Sequence, residues 1–334
     1  MNAITVVFSE HVCRILCDKA LRPAQELSGH FGRLARVACD NRAIYRACVV
    51  GGREGPRYLQ YNGGYVHSPE EIDAFPKKFV QDVSMDLRDT KDMKVCREIV
   101  TRFPYAIYQL IIFTSKISES WVDFACSLKR LGVVVICRKM TQKANRLFQK
   151  FVDLRKLSRL TIKERACVDT KEMLKSALCQ DQFEELQIRG FHRCWKTRVV
   201  HDLLLFWSEN GEKLRGKYLN LDFVCKGGVK QLEKFIFRKL KDSDEATMEE
   251  ALVQCTKEEC DYIDNYYRHR QFLFHKPSCV YKYEEGEGDQ RRRLYISFEC
   301  ADEDKRPAQL PAGHRGINDL KLMREADFVS LLFA

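Results

Sequence analysis

The chain has 334 residues, of which 45% are hydrophobic, and it carries a formal net charge of +10. That length suits one elongated array or two domains, and the hydrophobic fraction suffices for a sizeable core. No apolar run reaches the roughly 18 residues that cross a bilayer, and no basic region precedes the apolar residues of the N-terminus. We therefore expect an intracellular protein, cytoplasmic or nuclear, with no membrane partner.

Residues 1–48 show apolar side chains at helical spacing. Phe8, Val12 and Ile15 lie on one face of a first helix, and Leu27 and Phe31 begin the face of a second one. Residues 49–75 follow with two glycine pairs around a short tyrosine-rich strand. This pattern predicts a short helical module over 1–48 and a linker with one strand over 49–75.

A strand-then-helix pattern recurs through residues 76–300. Each strand contains an apolar triplet of the form φ-x-x-φ-x-φ, and the triplets begin at residues 80, 107, 157 and 183, which are 27, 50 and 26 positions apart. The long interval spans a partial copy at Val133 and Val135. A period of about 20 to 29 residues is typical of leucine-rich-type repeats. We therefore predict an α/β fold with a curved strand-helix array of about six repeats, in which Leu160 and Leu186 are buried on adjacent parallel strands.

The pattern changes beyond residue 250. A helix is expected over 257–268, and strands over 278–283 and 293–298 are joined by a charged, glycine-rich turn. Such a hairpin would close the array, since the last repeat of a solenoid otherwise exposes its core. Residues 301–334 read as a polar tail, and 301–322 of it as disordered.

Nothing in the sequence indicates an enzyme. Gly227-Gly228 could present amides to a phosphate, but no complete phosphate-binding motif surrounds them, so a tight turn is favoured. His192 and Cys194 are the only pair of catalytic residue types that merits inspection. The 15 cysteines are odd in number and scattered, which favours buried thiols over a disulfide framework, and none has the spacing of a zinc site. We expect no metal and no cofactor.

The positive charge is concentrated between residues 129 and 165. This stretch has twelve Lys and Arg residues against Asp153 and Glu164, so it alone carries a net charge of +10. One interpretation is a solvated outer face of repeat helices, and the other is a surface that binds an acidic protein partner. Nucleic acid is the less favoured partner, because no aromatic residue is interleaved with these charges. The residues predicted to bind an acidic partner are Arg138, Lys139, Lys143, Arg146 and Lys150.

The N-terminal pattern resembles an F-box. Its apolar run over 4–8, Val12 and Ile15, and the later Leu27-Ser28-Gly29-His30-Phe31-Gly32-Arg33-Leu34-Ala35 follow that family's spacing, with Phe31 where the family places tryptophan. Together with the array and the ending CVYKYEEGEGDQRRRLYISFEC, the chain is similar to nematode F-box-associated proteins. The resemblance implies a substrate receptor whose helical module docks the adaptor of a cullin-type ubiquitin ligase. The implied docking residues are Val6, Phe8, Leu27 and Phe31.

Two alternatives stay open at this point. The helical module could be only the N-terminal cap that a repeat array needs. The whole chain would then be a repeat scaffold without a ligase role, binding an acidic partner through the 129–165 surface.

Overall fold

A computed structural model describes residues 5–16, 18–239, 248–267, 273–274, 276–286, 288, 291–300, 310–311, 313 and 319–334. The described chain is a mixed α/β protein, as the sequence predicts. It divides into two compact units, Met1–Val135 and Ile136–Ala334. Most of the segment 301–322, for which disorder is predicted, lies outside the described residues.

The first unit begins with α1 (Val6–Ile15), α2 (Asp18–Ala24) and α3 (Gly29–Asp40). Small apolar side chains hold these helices together in a cluster made of Cys13, Leu21, Ala24, Ala35 and Ala38. Thr5 caps α1, since its hydroxyl accepts a hydrogen bond from the Phe8 amide at 3.3 Å. The helical module ends at Asp40 instead of residue 48, because a strand begins three residues later.

The segment predicted to be a linker forms strands of a sheet. β1 (Ala43–Val50), β2 (Arg53–Tyr61) and β3 (Gly64–Val66) pair antiparallel in chain order. Gly51 and Gly52 connect the first two with positive φ angles of 57° and 69°. Two consecutive positive φ angles match the twist of a two-residue hairpin, which is why glycine is needed there. The glycine pair therefore marks a hairpin turn and not a domain boundary.

The first unit continues with strands and helices in alternation. They are α4 (Pro69–Ala74), β4 (Val80–Leu87), α5 (Lys94–Arg102), β5 (Ile107–Ile112), α6 (Glu119–Ser127) and β6 (Leu131–Ile136), at which the unit ends. β4 pairs in parallel with both β1 and β5. The predicted triplet of Val80, Val83 and Met85 is buried. In the partial copy, Val135 is buried, whereas Val133 is only half-buried.

The second unit repeats the same alternation. Its elements are α7 (Gln142–Asp153), β7 (Arg159–Lys163), α8 (Lys171–Leu178), β8 (Glu185–Gly190), α9 (Val199–Leu214), β9 (Tyr218–Phe223) and α10 (Lys226–Lys239). β7, β8 and β9 are parallel, and Leu160 lies opposite Leu186 in the register. The two leucines are 1% and 0% exposed, which confirms that they are buried on adjacent parallel strands.

The C-terminal part of the second unit is antiparallel. It contains α11 (Met248–Ala251), β10 (Val253–Gln254), α12 (Lys257–Tyr266), β11 (Leu273–Phe274), β12 (Ser278–Glu285), β13 (Arg292–Glu299), β14 (Leu310–Pro311) and β15 (Phe328–Phe333). The hairpin of β12 and β13 is confirmed. It does not follow β9 directly, since β15 pairs with β13 on one side and β9 on the other.

The end of the chain is therefore an integral strand. All six residues of β15 are buried, although the sequence places them in a polar tail. An apolar strand in the interior of a sheet has both edges paired and both faces covered, which accounts for its unbroken run of mostly apolar residues. Cys279 and Cys300 form a disulfide beside the hairpin, which the expectation of thiols missed.

Polar side chains alternate with apolar ones along the parallel strands β7, β8 and β9, and β15, which is antiparallel to β9, contributes Ser330. Thr161 and Gln187 hydrogen-bond at 2.9 Å, and Ser330 donates to Asn220 at 2.7 Å. Because successive side chains of a strand point to opposite faces, this polar row lies on the face away from Leu160 and Ile188. The face opposite the leucines is therefore held by cross-strand hydrogen bonds.

We expect Leu160→Ala to lower the free energy of unfolding by about 2 to 5 kcal/mol, because the smaller side chain leaves a cavity in a packed layer of buried side chains. Chemical denaturation of the variant and of Lys143→Ala, which removes an exposed side chain, provides the measurement and its control. A loss below about 0.5 kcal/mol, the range of ordinary surface substitutions, would contradict the burial of this strand.

Candidate binding cleft at the strand ends

The register of the parallel strands gathers charged residues at one edge of the second unit. Lys163 lies opposite Arg189, and Arg189 lies opposite Asp222. All three occupy the last or next-to-last positions of their strands. The carboxyl ends of β7, β8 and β9 therefore present a row of charges to the loops that follow them.

The carboxyl ends of β7 and β8, together with the residues that follow β6, β7 and β8, line a cavity of about 310 Å³. Its lining is mainly basic and includes Arg138, Lys139, Lys163, Arg165, Arg189 and His192. Such a concentration of positive charge around one concave site raises the local concentration of anionic groups. We call this cavity and its rim the strand-end cleft.

Only some of the cleft cations are neutralised. Lys139 pairs with Asp169 at 2.8 Å, and Arg189 pairs with Asp222 at 2.9 Å. Arg138, Lys163 and Arg165 form no ion pair with any residue that the structure describes. These three cations are available to an anionic ligand.

Asp222 is anchored inside this network. Its carboxylate accepts hydrogen bonds from Gln187 at 3.0 Å and from Arg189 at 2.9 Å. Burial raises the pKa of the Asp222 carboxyl above its usual value, and Arg189 opposes that effect only in part. The carboxylate thus serves to fix the Arg189 side chain at the floor of the cleft.

Two aromatic rings stand at the rim. Phe191 and Phe223 are 48% and 47% exposed, and their ring centroids lie 5.2 Å apart with an interplanar angle of 26°. The Lys163 ammonium lies 4.7 Å from the centre of the Phe191 ring, and the Arg189 guanidinium carbon lies 5.5 Å from that of Phe223. Phe223 has a φ of 70°, a conformation that is strained for a bulky residue. The exposed pair of rings therefore includes a residue, Phe223, whose backbone conformation is strained.

The loop that carries Phe191 is anchored by buried polar contacts. The buried Glu164 carboxylate accepts a hydrogen bond from the Thr197 amide at 2.6 Å. Gln231 donates to the Thr197 carbonyl at 2.8 Å and accepts from the Val200 amide at 3.1 Å. These contacts hold the end of the loop to α9 and α10, so the cleft wall is preformed.

Trp195 fixes the middle of the same loop. Its indole N–H donates to the Val224 carbonyl at 3.1 Å, and its ring lies directly on Gly227 and Gly228. The two glycines belong to the first turn of α10, so they do not form the predicted tight turn. Their missing side chains make room for the indole.

We expect Gly227→Ala to destabilise the protein by about 1 to 3 kcal/mol, because the added methyl group would overlap the Trp195 ring. Gly64→Ala is the matched control, since its added carbon would come no closer than 3.7 Å to the Tyr61 carbonyl oxygen. Thermal unfolding of both variants measures the difference. Equal stability of the two would show that Trp195 does not pack as described.

The predicted basic residues fall into two groups. Arg138 and Lys139 line the strand-end cleft. Lys143, Arg146 and Lys150 are exposed on α7 and do not belong to the lining of the cleft. The sequence did not single out Arg189, Phe191 and Phe223, although each lies just after the second or third apolar residue of a repeat.

The N-terminal segment carries several exposed apolar side chains. Val6, Phe8 and Leu27 are 50%, 57% and 53% exposed. Phe31 is half-buried and packs against the small-residue cluster of the three helices. The predicted docking residues therefore divide into three exposed side chains and one that supports the module.

The predicted His192–Cys194 pair lies in the loop between β8 and α9. Both side chains are exposed, and no hydrogen bond joins them among the described contacts. Within the described residues there is also no group of three or more metal-ligating side chains.

No protein-family model matches the chain, and no curated protein matches it. In the part of the chain that the structure describes, no helix combines the length and apolar character needed to cross a membrane.

Proposed function

We propose that the chain is a protein-binding receptor that holds an acidic segment of its partner in the strand-end cleft. The observation that carries this proposal is the set of three unpaired cations, Arg138, Lys163 and Arg165, around one preformed cavity. Unpaired like charges repel one another, so an anionic partner relieves that repulsion as it binds.

The proposal includes a leucine-rich-repeat type of array. Leu157 and Phe183 are buried just before β7 and β8, whereas the next two apolar residues of each triplet lie on the strands. In the φ-x-x-φ-x-φ pattern of such repeats, we expect the first apolar side chain to be buried ahead of the strand and the other two to be buried on it. In this arrangement the strands form one layer and the helices the other, and the strand-end cleft lies at the carboxyl-end edge of the strand layer.

We expect charge reversal inside the strand-end cleft to weaken the binding of an acidic peptide, and the same reversal on α7 to leave that binding largely unchanged. Binding of a fluorescently labelled Glu-rich peptide to the double variant Arg138→Glu/Arg165→Glu should weaken about tenfold or more, equivalent to ~1.4 kcal/mol. The variant Lys143→Glu/Lys150→Glu makes the same change in net charge on α7 and should retain most of the affinity. Fluorescence anisotropy provides the measurement.

The affinity for the Glu-rich peptide should also depend on the salt concentration. The affinity should fall between about 0.1 M salt, where the Debye length is ~10 Å, and about 1 M, where it is ~3 Å. Equal losses in the two double variants would show that only the overall charge matters, and the cleft would lose its assigned role.

We propose a second function for the N-terminal helices, the docking of a ubiquitin-ligase adaptor. Its support is the exposure of Val6, Phe8 and Leu27 beside a module whose small-residue core is complete without them. Large apolar side chains that are exposed in the free chain are candidates for burial in an interface. The array would then present the bound partner to the ligase.

We expect Val6→Asp/Phe8→Asp to abolish capture of the full-length protein by the purified adaptor, because buried apolar anchors supply most of the energy of such an interface. Val37→Asp, at an exposed position of α3 that is not among the proposed docking residues, is the matched control and should leave capture unchanged. Failure of the unaltered protein to bind the adaptor, or retention of binding by the double variant, would remove this second function.

A further inference from the structure

We propose that the strand-end cleft recognises a phosphotyrosine side chain in the acidic segment of the partner, with the phosphate held by Arg138, Lys163 and Arg165 and the ring held against Phe191. This inference rests on the proposed function, because it specifies the ligand of the same cleft. It is carried by the combination of charge and aromatic surface at one site.

The charge balance favours a dianion over a carboxylate. Glu164 is the acidic residue in the lining, and it is buried and hydrogen-bonded to the Thr197 amide. Once its charge is set against the three unpaired cations, about two positive charges are left. A phosphate monoester carries about −1.5 to −2 charges at pH 7, whereas a carboxylate carries only one. A phosphorylated side chain therefore neutralises the cleft more completely than Asp or Glu does.

The aromatic rim favours tyrosine as the carrier of that phosphate. Phe191 lines the cavity, and nearly half of its surface and that of Phe223 is exposed. A phosphoserine has no apolar body that could cover these rings. A phosphotyrosine ring makes edge-to-face contact with Phe191 and lies beside the Lys163 ammonium, which attracts aromatic faces.

A nucleobase fits the same rim less well. Sequence-tolerant binding of single-stranded nucleic acid uses aromatic faces that are free to stack on bases. Here Phe191 and Phe223 are stacked on each other, and a cation lies over each ring at 4.7 and 5.5 Å. The faces that the two rings turn towards each other are therefore not free to stack on a base, whereas the exposed part of Phe191 remains accessible to a tyrosine ring.

The experiment uses the full-length protein and three labelled peptides that differ at one central residue flanked by Glu: phosphotyrosine, phosphoserine and tyrosine. We expect the phosphotyrosine peptide to bind about tenfold more tightly than the tyrosine peptide and several-fold more tightly than the phosphoserine peptide. Phenyl phosphate should displace it at a lower concentration than inorganic phosphate does.

Two variants separate the ring from the phosphate. Phe191→Ala should weaken the phosphotyrosine peptide several-fold and leave the phosphoserine peptide unchanged, whereas Arg165→Glu should weaken both. Phe191 is about half exposed, so its replacement should not unfold the protein, and an unchanged thermal transition verifies this. Lys143→Glu is the control for charge and should affect neither peptide.

The outcomes distinguish the two proposals. Equal affinity for the phosphotyrosine and phosphoserine peptides, or no effect of Phe191→Ala, overturns the phosphotyrosine assignment. Displacement by adenosine monophosphate at a lower concentration than by phenyl phosphate overturns it in favour of a nucleotide. If the Glu-rich peptide still binds in a manner that depends on Arg138 and Arg165, the receptor function stands without phosphotyrosine; if no peptide binds, both proposals fall.

Discussion

The parallel register of β7, β8 and β9 is the constraint on which the cleft depends. In this register Lys163 lies opposite Arg189, and Arg189 lies opposite Asp222, so residues that are far apart in sequence come together along one edge of the strands. Because strand side chains alternate with a period of two, a slip by one residue would send these charges to the leucine face. The buried leucines therefore fix the register, and the register in turn fixes the cleft.

The cleft wall is stiffened by groups that do not line its rim. The Thr197 amide and carbonyl are both hydrogen-bonded, to Glu164 and to Gln231, and Trp195 fills the space over the glycines of α10. Ordering a loop on binding costs conformational entropy, and a loop that is already ordered avoids that cost. The strained φ of Phe223 is consistent with such a wall, since only a well-supported structure maintains an unfavourable backbone conformation.

The sequence predicted those strands that carry their own repeating apolar pattern. It did not predict a strand whose place in the sheet depends on neighbouring strands far away along the chain. The triplets led to Leu160 and Leu186 because each repeat carries its own pattern. β15 lacks that context, since its neighbours β9 and β13 are about 110 and 30 residues away along the chain, and an isolated apolar run at a chain end resembles a tail. In the cleft, net charge indicated Arg138 and Lys139. Aligning the repeats on their last apolar residue would have placed Lys163 beside Arg189.

The basic residues of segment 129–165 differ in how far their charges are compensated by nearby carboxylates. Lys129 and Arg130 belong to the first unit, Lys139 is paired with Asp169, and Arg159 lies within 4.0 Å of the Glu184 and Glu185 carboxylates. Exposed pairs of this kind contribute little stability, yet they cancel the field that a distant anion would experience. On α7, Lys143 and Lys150 are exposed, and Arg146 lines a second cavity whose lining also contains Asp169 and Glu172. Among the residues that the structure describes, the strand-end cleft gathers three cations of this segment without an ion pair, Arg138, Lys163 and Arg165, around one concave surface.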